Sequence, residues 1–259
     1  MIFEPWQWAL LLTGAFVVGL AKTGIAGLGI LFVALLANAM PARQATGVVL
    51  PMLILGDVFA VLLYRQHTEW RHLWKLFPWT AVGVVLGWLA LGHVDDLQTK
   101  RLVGGILSFL LAVHYWRVGS AKAVVVEKTA VQLEDRLAIA PAWVAAGTGL
   151  MAGFTTLVAN AAGSVMTIYL LAMRLPKLGF LGTNAVFFLL LNWFKVPFMV
   201  NLGLINPESL WLNLRLAPAV IAGCLLGRYA VVRMNQKLFE ATALILTAIA
   251  AIKFLLFYI

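Results

Sequence analysis

Three ionisable residues lie deep inside runs that are otherwise apolar: Lys22, Asp57 and Lys195. An ionised side chain at the centre of a bilayer costs about 2.5–3.5 kcal/mol on insertion scales, so such groups normally face a partner or a cavity. Small polar residues gather near them in sequence: Thr23 beside Lys22, then Thr155, Thr156, Asn160 and Ser164, with Asn192 one turn before Lys195. Ammonium groups, hydroxyls, amides and free backbone N–H groups together suit the reversible holding of a small oxyanion. Asp57 suits the carriage of a proton.

Each of these residues has a plainer alternative. Lys22 can snorkel from a short helix end, and small polar residues can join helices in a membrane. Asp57 and Lys195 occupy nearly equivalent places in the two halves of the chain and can form a structural salt bridge. Otherwise Asp57 is the proton carrier and Lys195 a second anion contact, with Asn192 on the same wall. Arg215 and His114 sit near span ends and read as interfacial residues. Cys224 reads as a packed small apolar side chain.

The elements that must hold these groups are unusual. The stretch 147–176 is apolar enough for a membrane, yet its middle, from Thr155 to Ser164, is small and polar. Non-helical backbone at membrane depth survives only where protein or a water-lined cavity satisfies it. A helix restarting near Gly163 would point free N–H groups and a positive dipole end into that gap. The first forty residues repeat the pattern: an apolar run, then the break Gly19-Leu20-Ala21-Lys22-Thr23-Gly24-Ile25-Ala26-Gly27-Leu28-Gly29, then a second run ended by Pro41. The run 6–40 would be roughly 50 Å as one helix, too long for one span and too short for two. Two short helices meeting in the bilayer fit it better. Backbone N–H groups at 26–29 and 161–164 are expected to face the anion, with Gly27, Gly29 and Gly163 allowing close approach.

Composition sets the class. Apolar residues make up 63% and charged residues 11%, against about a quarter charged in soluble domains. The net charge of +9 is scattered over short loops and is not a nucleic-acid footprint. A single cysteine rules out an internal disulfide. The start lacks a basic n-region, so no cleavable signal peptide is expected. No histidine stands in a His-Glu-x-x-His setting, no depth residue offers a serine–histidine pair, and no enzyme activity, cofactor or metal is expected.

An offset of 135 residues aligns Pro41 with Pro176, Gly47 with Gly182 and Asp57 with Asn192. A slightly larger one aligns Pro78 with Pro218, and the pair Gly83 and Gly87 with Gly223 and Gly227. The ordered set indicates an internal repeat. Equivalent loops carry opposite charge bias: Arg65, Arg71 and Lys75 follow the first full span, whereas 201–209 holds no basic residue. Opposite bias is what inverted halves require under the positive-inside rule. The expected architecture is therefore all-α and polytopic, with two inverted repeats, each a broken, re-entrant hairpin followed by three spans. The N-terminal repeat is 1–118 (hairpin 6–40; spans 44–64, 73–91 and 102–116). A cytoplasmic linker covers 119–137. The C-terminal repeat is 138–259 (hairpin 138–175; spans 178–200, 210–230 and 238–259). Both termini are placed outside.

The chain resembles the TauE/SafE family of sulfite and organosulfonate exporters. The resemblance is carried by Lys22-Thr23-Gly24-Ile25-Ala26-Gly27-Leu28-Gly29 followed by Met40-Pro41-Ala42-Arg43-Gln44-Ala45-Thr46, and by a second copy. That copy is Gly149-Leu150-Met151-Ala152-Gly153-Phe154, Ala161-Ala162-Gly163-Ser164, Leu175-Pro176 and Gly182-Thr183-Asn184-Ala185. The resemblance implies export of a small sulfur oxyanion such as sulfite, or a sulfonate such as sulfoacetate, by a proton-linked secondary mechanism. It places the protein in the inner membrane of a bacterium. Import of sulfate or thiosulfate, a channel mechanism and a homodimer stay open. The substrate-binding set so expected is Lys22, Thr23, Gly27, Gly29, Thr156, Asn160, Gly163, Ser164, Asn192 and Lys195, with Asp57 for the proton.

Overall fold

A computed structural model describes residues 3–25, 27–40, 42–90, 142–160 and 162–256. Among these there is no strand, and the chain is an all-α membrane protein. Its helices are α1 (Pro5–Thr23), α2 (Gly29–Ala39), α3 (Ala42–Tyr64), α4 (Trp70–Ala90), α5 (Ala142–Ala159), α6 (Ala162–Ala172), α7 (Lys177–Asn201), α8 (Pro207–Arg233) and α9 (Gln236–Leu256). A single 3-10 turn, Arg65–His67, joins α3 to α4. The segments Gly47–His67, Lys177–Asn201 and Pro207–Arg233 are long and apolar enough to cross a membrane. The expected span 102–116, the linker 119–137 and His114 lie outside the described residues.

Local signals start and stop these helices where the polar residues stand. Pro5 opens α1 and the Gln7 side chain takes the N–H of Glu4 at 2.8 Å. Asn206 caps α8, accepting from the N–H of Ser209 at 2.9 Å, while Pro207 takes the first helical position, where its missing N–H is harmless. Pro78 and Pro218, matched in the repeat, both lie inside helices. Membrane helices accept this because neighbours re-satisfy the freed carbonyls.

The hairpins are lopsided, unlike the two short arms expected. Their first arms run 19 and 18 residues and their second arms 11 each, about 28 Å against about 16 Å. Helix continues through Thr155 because its hydroxyl folds back onto the Met151 carbonyl at 2.7 Å. It also continues through Gly19, which is pressed against α8. The breaks are correspondingly narrow: α1 ends at Thr23 and α2 begins at Gly29, while α5 ends at Ala159 and α6 begins at Ala162. Asn160 turns the second gap with φ of 50°, and Gly27 turns the first with φ of 95°. Gln7 donates to the Ala39 carbonyl at 2.9 Å, so the first hairpin returns to the level where it began.

Packing between the halves is reciprocal. The closest pairs are α1 with α8, α4 with α5, and α3 with α7. Gly19 meets the Val220 carbonyl just as Gly153 meets that of Thr80, and Gly223 meets Phe16 just as Gly83 meets Leu150. Along α1 and α8 these contacts advance together, so the two helices run parallel, as do α4 and α5. By contrast, Gly47 near the start of α3 lies against Leu204, just past the end of α7, while Gly182 near the start of α7 lies against Tyr64. Those two helices are therefore antiparallel.

The first prediction arises here. A Cβ on Gly19 or Gly153 would run into backbone rather than a movable side chain. Gly19→Val and Gly153→Val are each expected to cost at least about 3 kcal/mol, read as loss of monodisperse protein and a lower melting temperature in detergent. Gly14→Ala meets only the Leu36 and Leu35 side chains and should be tolerated.

Candidate functional site

The ends of the two long arms, the centre of α3 and the inner face of α7 converge on one buried polar cluster. Lys22 stands in the last turn of α1. Its Nζ lies 2.7 Å from Asp57 Oδ1, and both side chains are nearly or wholly buried. The same ammonium sits 4.4 Å from the centroid of the Phe188 ring, a cation–π contact that partly replaces lost hydration. Asn192 donates from Nδ2 to Asp57 Oδ2 at 2.7 Å. The carboxylate is thus held from both sides, by a cation from α1 and an amide from α7.

Lys195, fully buried, does not pair with Asp57. Its Nζ donates to the Thr156 carbonyl at 2.9 Å, lies 3.3 Å from Thr156 Oγ1 and donates to Asn160 Oδ1 at 2.7 Å. A cation at the C-terminal end of α5 is where a helix dipole favours it. This contact also holds Asn160 in its left-handed conformation at the head of the gap. The salt bridge considered from sequence, Asp57 with Lys195, is therefore replaced by Asp57 with Lys22. The physical reason is that Asn192 occupies the contact with Asp57. Lys195, nearly one turn further along α7, reaches the level of the second gap instead.

Not every expected residue lines open space. The Thr23 hydroxyl donates to the Cys224 carbonyl at 2.7 Å and the Thr23 carbonyl accepts from Tyr64 OH at 2.7 Å, so Thr23 ties α1 to α8 and α3. Gly27 is pressed against α9, where an added Cβ would come within 2.7 Å of Leu246. Among the described residues, Gly29 has Phe32 alone near an added Cβ, and Gly163 has none within 4 Å. Ser164 is buried beside it. Among the described residues, the least crowded backbone next to the cluster is therefore at the start of α6, three residues beyond Asn160. Arg215 stacks over Trp211 on the exposed face of α8, 5.5 Å from its ring centroid.

Two residues of the cluster escape sequence reasoning, Tyr64 and Phe188. A signal existed for the second. Asn184, Phe188, Asn192 and Lys195 follow at helical spacing along one face of α7.

A second prediction arises at the start of α6. Gly163→Val should fold and melt as the native chain does, because no described residue opposes the new side chain. It should nevertheless cut anion flux roughly tenfold or more, measured in reconstituted vesicles.

Reciprocal helix packing, interrupted hairpins and the buried side chains of Lys22, Lys195 and Asp57 describe a polytopic all-α membrane protein with ionisable groups at its centre. Residues 11–254 match the family described as Sulfite exporter TauE/SafE. The chain belongs to this family, and that membership makes it a membrane transporter of anions rather than an enzyme. No curated protein and no solved structure matches it.

Proposed function

We propose that the protein is a secondary carrier that exports sulfite, taken up between the two broken hairpins and coupled to protons through Asp57. The observation that carries this is the charge balance. Lys22 and Lys195 are 9% and 0% exposed, and Asp57, at 0%, is the carboxylate paired with Lys22. An ammonium at Lys195, held so far from water, would be stabilised by an anion brought to it, and the start of α6, where no described residue crowds Gly163, would be the place to receive that anion. Protonation of Asp57 would free Lys22 from its ion pair, which supplies a way for proton and anion binding to influence each other.

The halves act as inverted repeats in this reading. Support comes from the parallel pairs α1–α8 and α4–α5 together with the antiparallel pair α3–α7. One end of the bundle gathers Arg65, Arg71, Lys75, Arg174, Lys177, Arg233 and Lys237. That end is assigned to the cytoplasm of a bacterial inner membrane by the positive-inside rule, which puts the N-terminus outside. A binding site at a repeat interface with alternating access follows the usual logic of such carriers.

The test is uptake of sulfite into proteoliposomes under two opposed pH gradients, with sulfoacetate, thiosulfate and sulfate as competitors. Accumulation that follows the pH gradient and yields to excess unlabelled sulfite supports the proposal. Flux that never exceeds equilibrium makes it a channel, and preferential competition by sulfoacetate makes it a sulfonate exporter.

A further inference from the structure

Asp57 and Asn192 hold matching positions in the two halves, 135 residues apart, and they touch each other at 2.7 Å. Equivalent points of two repeats meet only where they approach the axis that relates them. The reciprocal contacts of α1 with α8 and α5 with α4 require such an axis, and α3 and α7 cross antiparallel beside it. The groups flanking the pair also correspond. Lys22 attends Asp57 from the end of α1, and Thr156, its counterpart at the end of α5, carries the ammonium of Lys195. Each residue of the pair thus has a lysine near it: Lys22 on Asp57, and Lys195 less than one turn along α7 from Asn192.

We propose that Asp57 and Asn192 form a single acid–amide pair on the pseudo-two-fold axis, whose one carboxylate serves both halves and can be supplied from either side. Asn192 is then a positioning residue that acts through Asp57 rather than an anion ligand. An amide suits this place because it can both donate and accept. Toward the ionised carboxylate it donates from Nδ2, as observed. Its Oδ1 is buried and without a partner among the described residues. When Asp57 takes up a proton, rotation of the amide lets that Oδ1 accept from the new O–H. The pair is satisfied in both protonation states, and Lys22 is released in one of them. Moving the carboxyl to residue 192 and the amide to residue 57 shifts the charge by one hydrogen bond and puts it on the same helix as Lys195, less than one turn away.

The inference deepens the proton-linked reading above and rests on it only for its transport arm. Asp57→Asn, Asn192→Asp and the double exchange are compared with the native chain in two measurements, melting in detergent and sulfite uptake across a range of pH gradients. Asp57→Asn should lower the melting temperature by roughly 5–10 °C, because Lys22 is left buried and unpaired, and should flatten the pH dependence. Asn192→Asp should keep most of its stability, since two carboxyls at hydrogen-bond distance hold one proton between them. The double exchange should recover at least half of the lost melting temperature and regain the pH response. A double exchange that melts no higher than Asp57→Asn overturns the proposal. Recovery of melting without recovery of the pH response, in a native chain that transports, overturns it as well, since the contact would then be merely structural. If the native chain moves no sulfite but the melting cycle closes, the axis pair is upheld and the substrate assignment fails.

Discussion

Lys195→Met should reduce sulfite flux by two orders of magnitude or more. The substitution leaves the Lys22–Asp57 ion pair intact but removes a buried cation whose partners among the described residues are Thr156 and Asn160 rather than a carboxylate. Truncating one member of a buried, hydrogen-bonded charge interaction costs about 3–5 kcal/mol, and about 1.4 kcal/mol is tenfold in affinity. Folding should suffer less than transport. The Thr156 carbonyl still accepts from the N–H of Asn160 at 3.1 Å, so the end of α5 is not stripped of partners. Asn160 loses its tie to α7 and with it the contact that sets the shape of the gap. Initial-rate uptake in proteoliposomes of matched protein content measures the effect. Uptake within threefold of the native rate would remove Lys195 from the site.

Lys22→Ala is expected to act first on stability. Lys22 is the only cation seen in contact with Asp57 among the described residues, and its removal leaves a carboxylate in a dry interior. The cost is about 3–5 kcal/mol, or roughly 10 °C in melting temperature for a chain of this size. Removing both charges together is expected to be milder, because replacing a whole buried ion pair is often close to neutral. Lys22→Met combined with Asp57→Asn should therefore melt higher than Lys22→Ala alone. The comparison needs only purified protein and a melting assay. A double variant as unstable as the single one would mean that the ion pair is not what makes Lys22 necessary. Loss of transport in Lys22→Ala alone would not identify an anion ligand, since the fold itself is weakened.

The architecture was legible where physics leaves a mark on composition. Apolar run lengths announce the membrane, and Gly83 and Gly223 mark places where helix backbones approach so closely that an added Cβ would strike a carbonyl. Lys22, Asp57 and Lys195 were legible as a group because ionisable residues at depth are expensive. What the sequence did not reveal is which of them meet. Every helix here is apolar around most of its circumference, so periodicity does not say which face turns inward. Asp57 was matched to Lys195 on their similar depth, whereas the partner arrives from the end of α1. The extent of the gaps was misjudged for a related reason. Thr155 and Thr156 look like breakers in sequence, yet a threonine hydroxyl can bond the carbonyl one turn back and stay helical, as Thr155 does. Tyr64 closes the end of α1 through a contact 41 residues away in sequence, which no local pattern predicts.

The central claim is that a small sulfur oxyanion binds at the cluster formed by Lys195, Asn160 and the start of α6. Calorimetric titration of sulfite into the purified protein, beside the Lys195→Met variant at equal folded fraction, tests it most directly. The account predicts saturable heat in the native protein and none in the variant. Equal saturable heats in both would contradict it, because an anion held elsewhere would not miss the ammonium of Lys195.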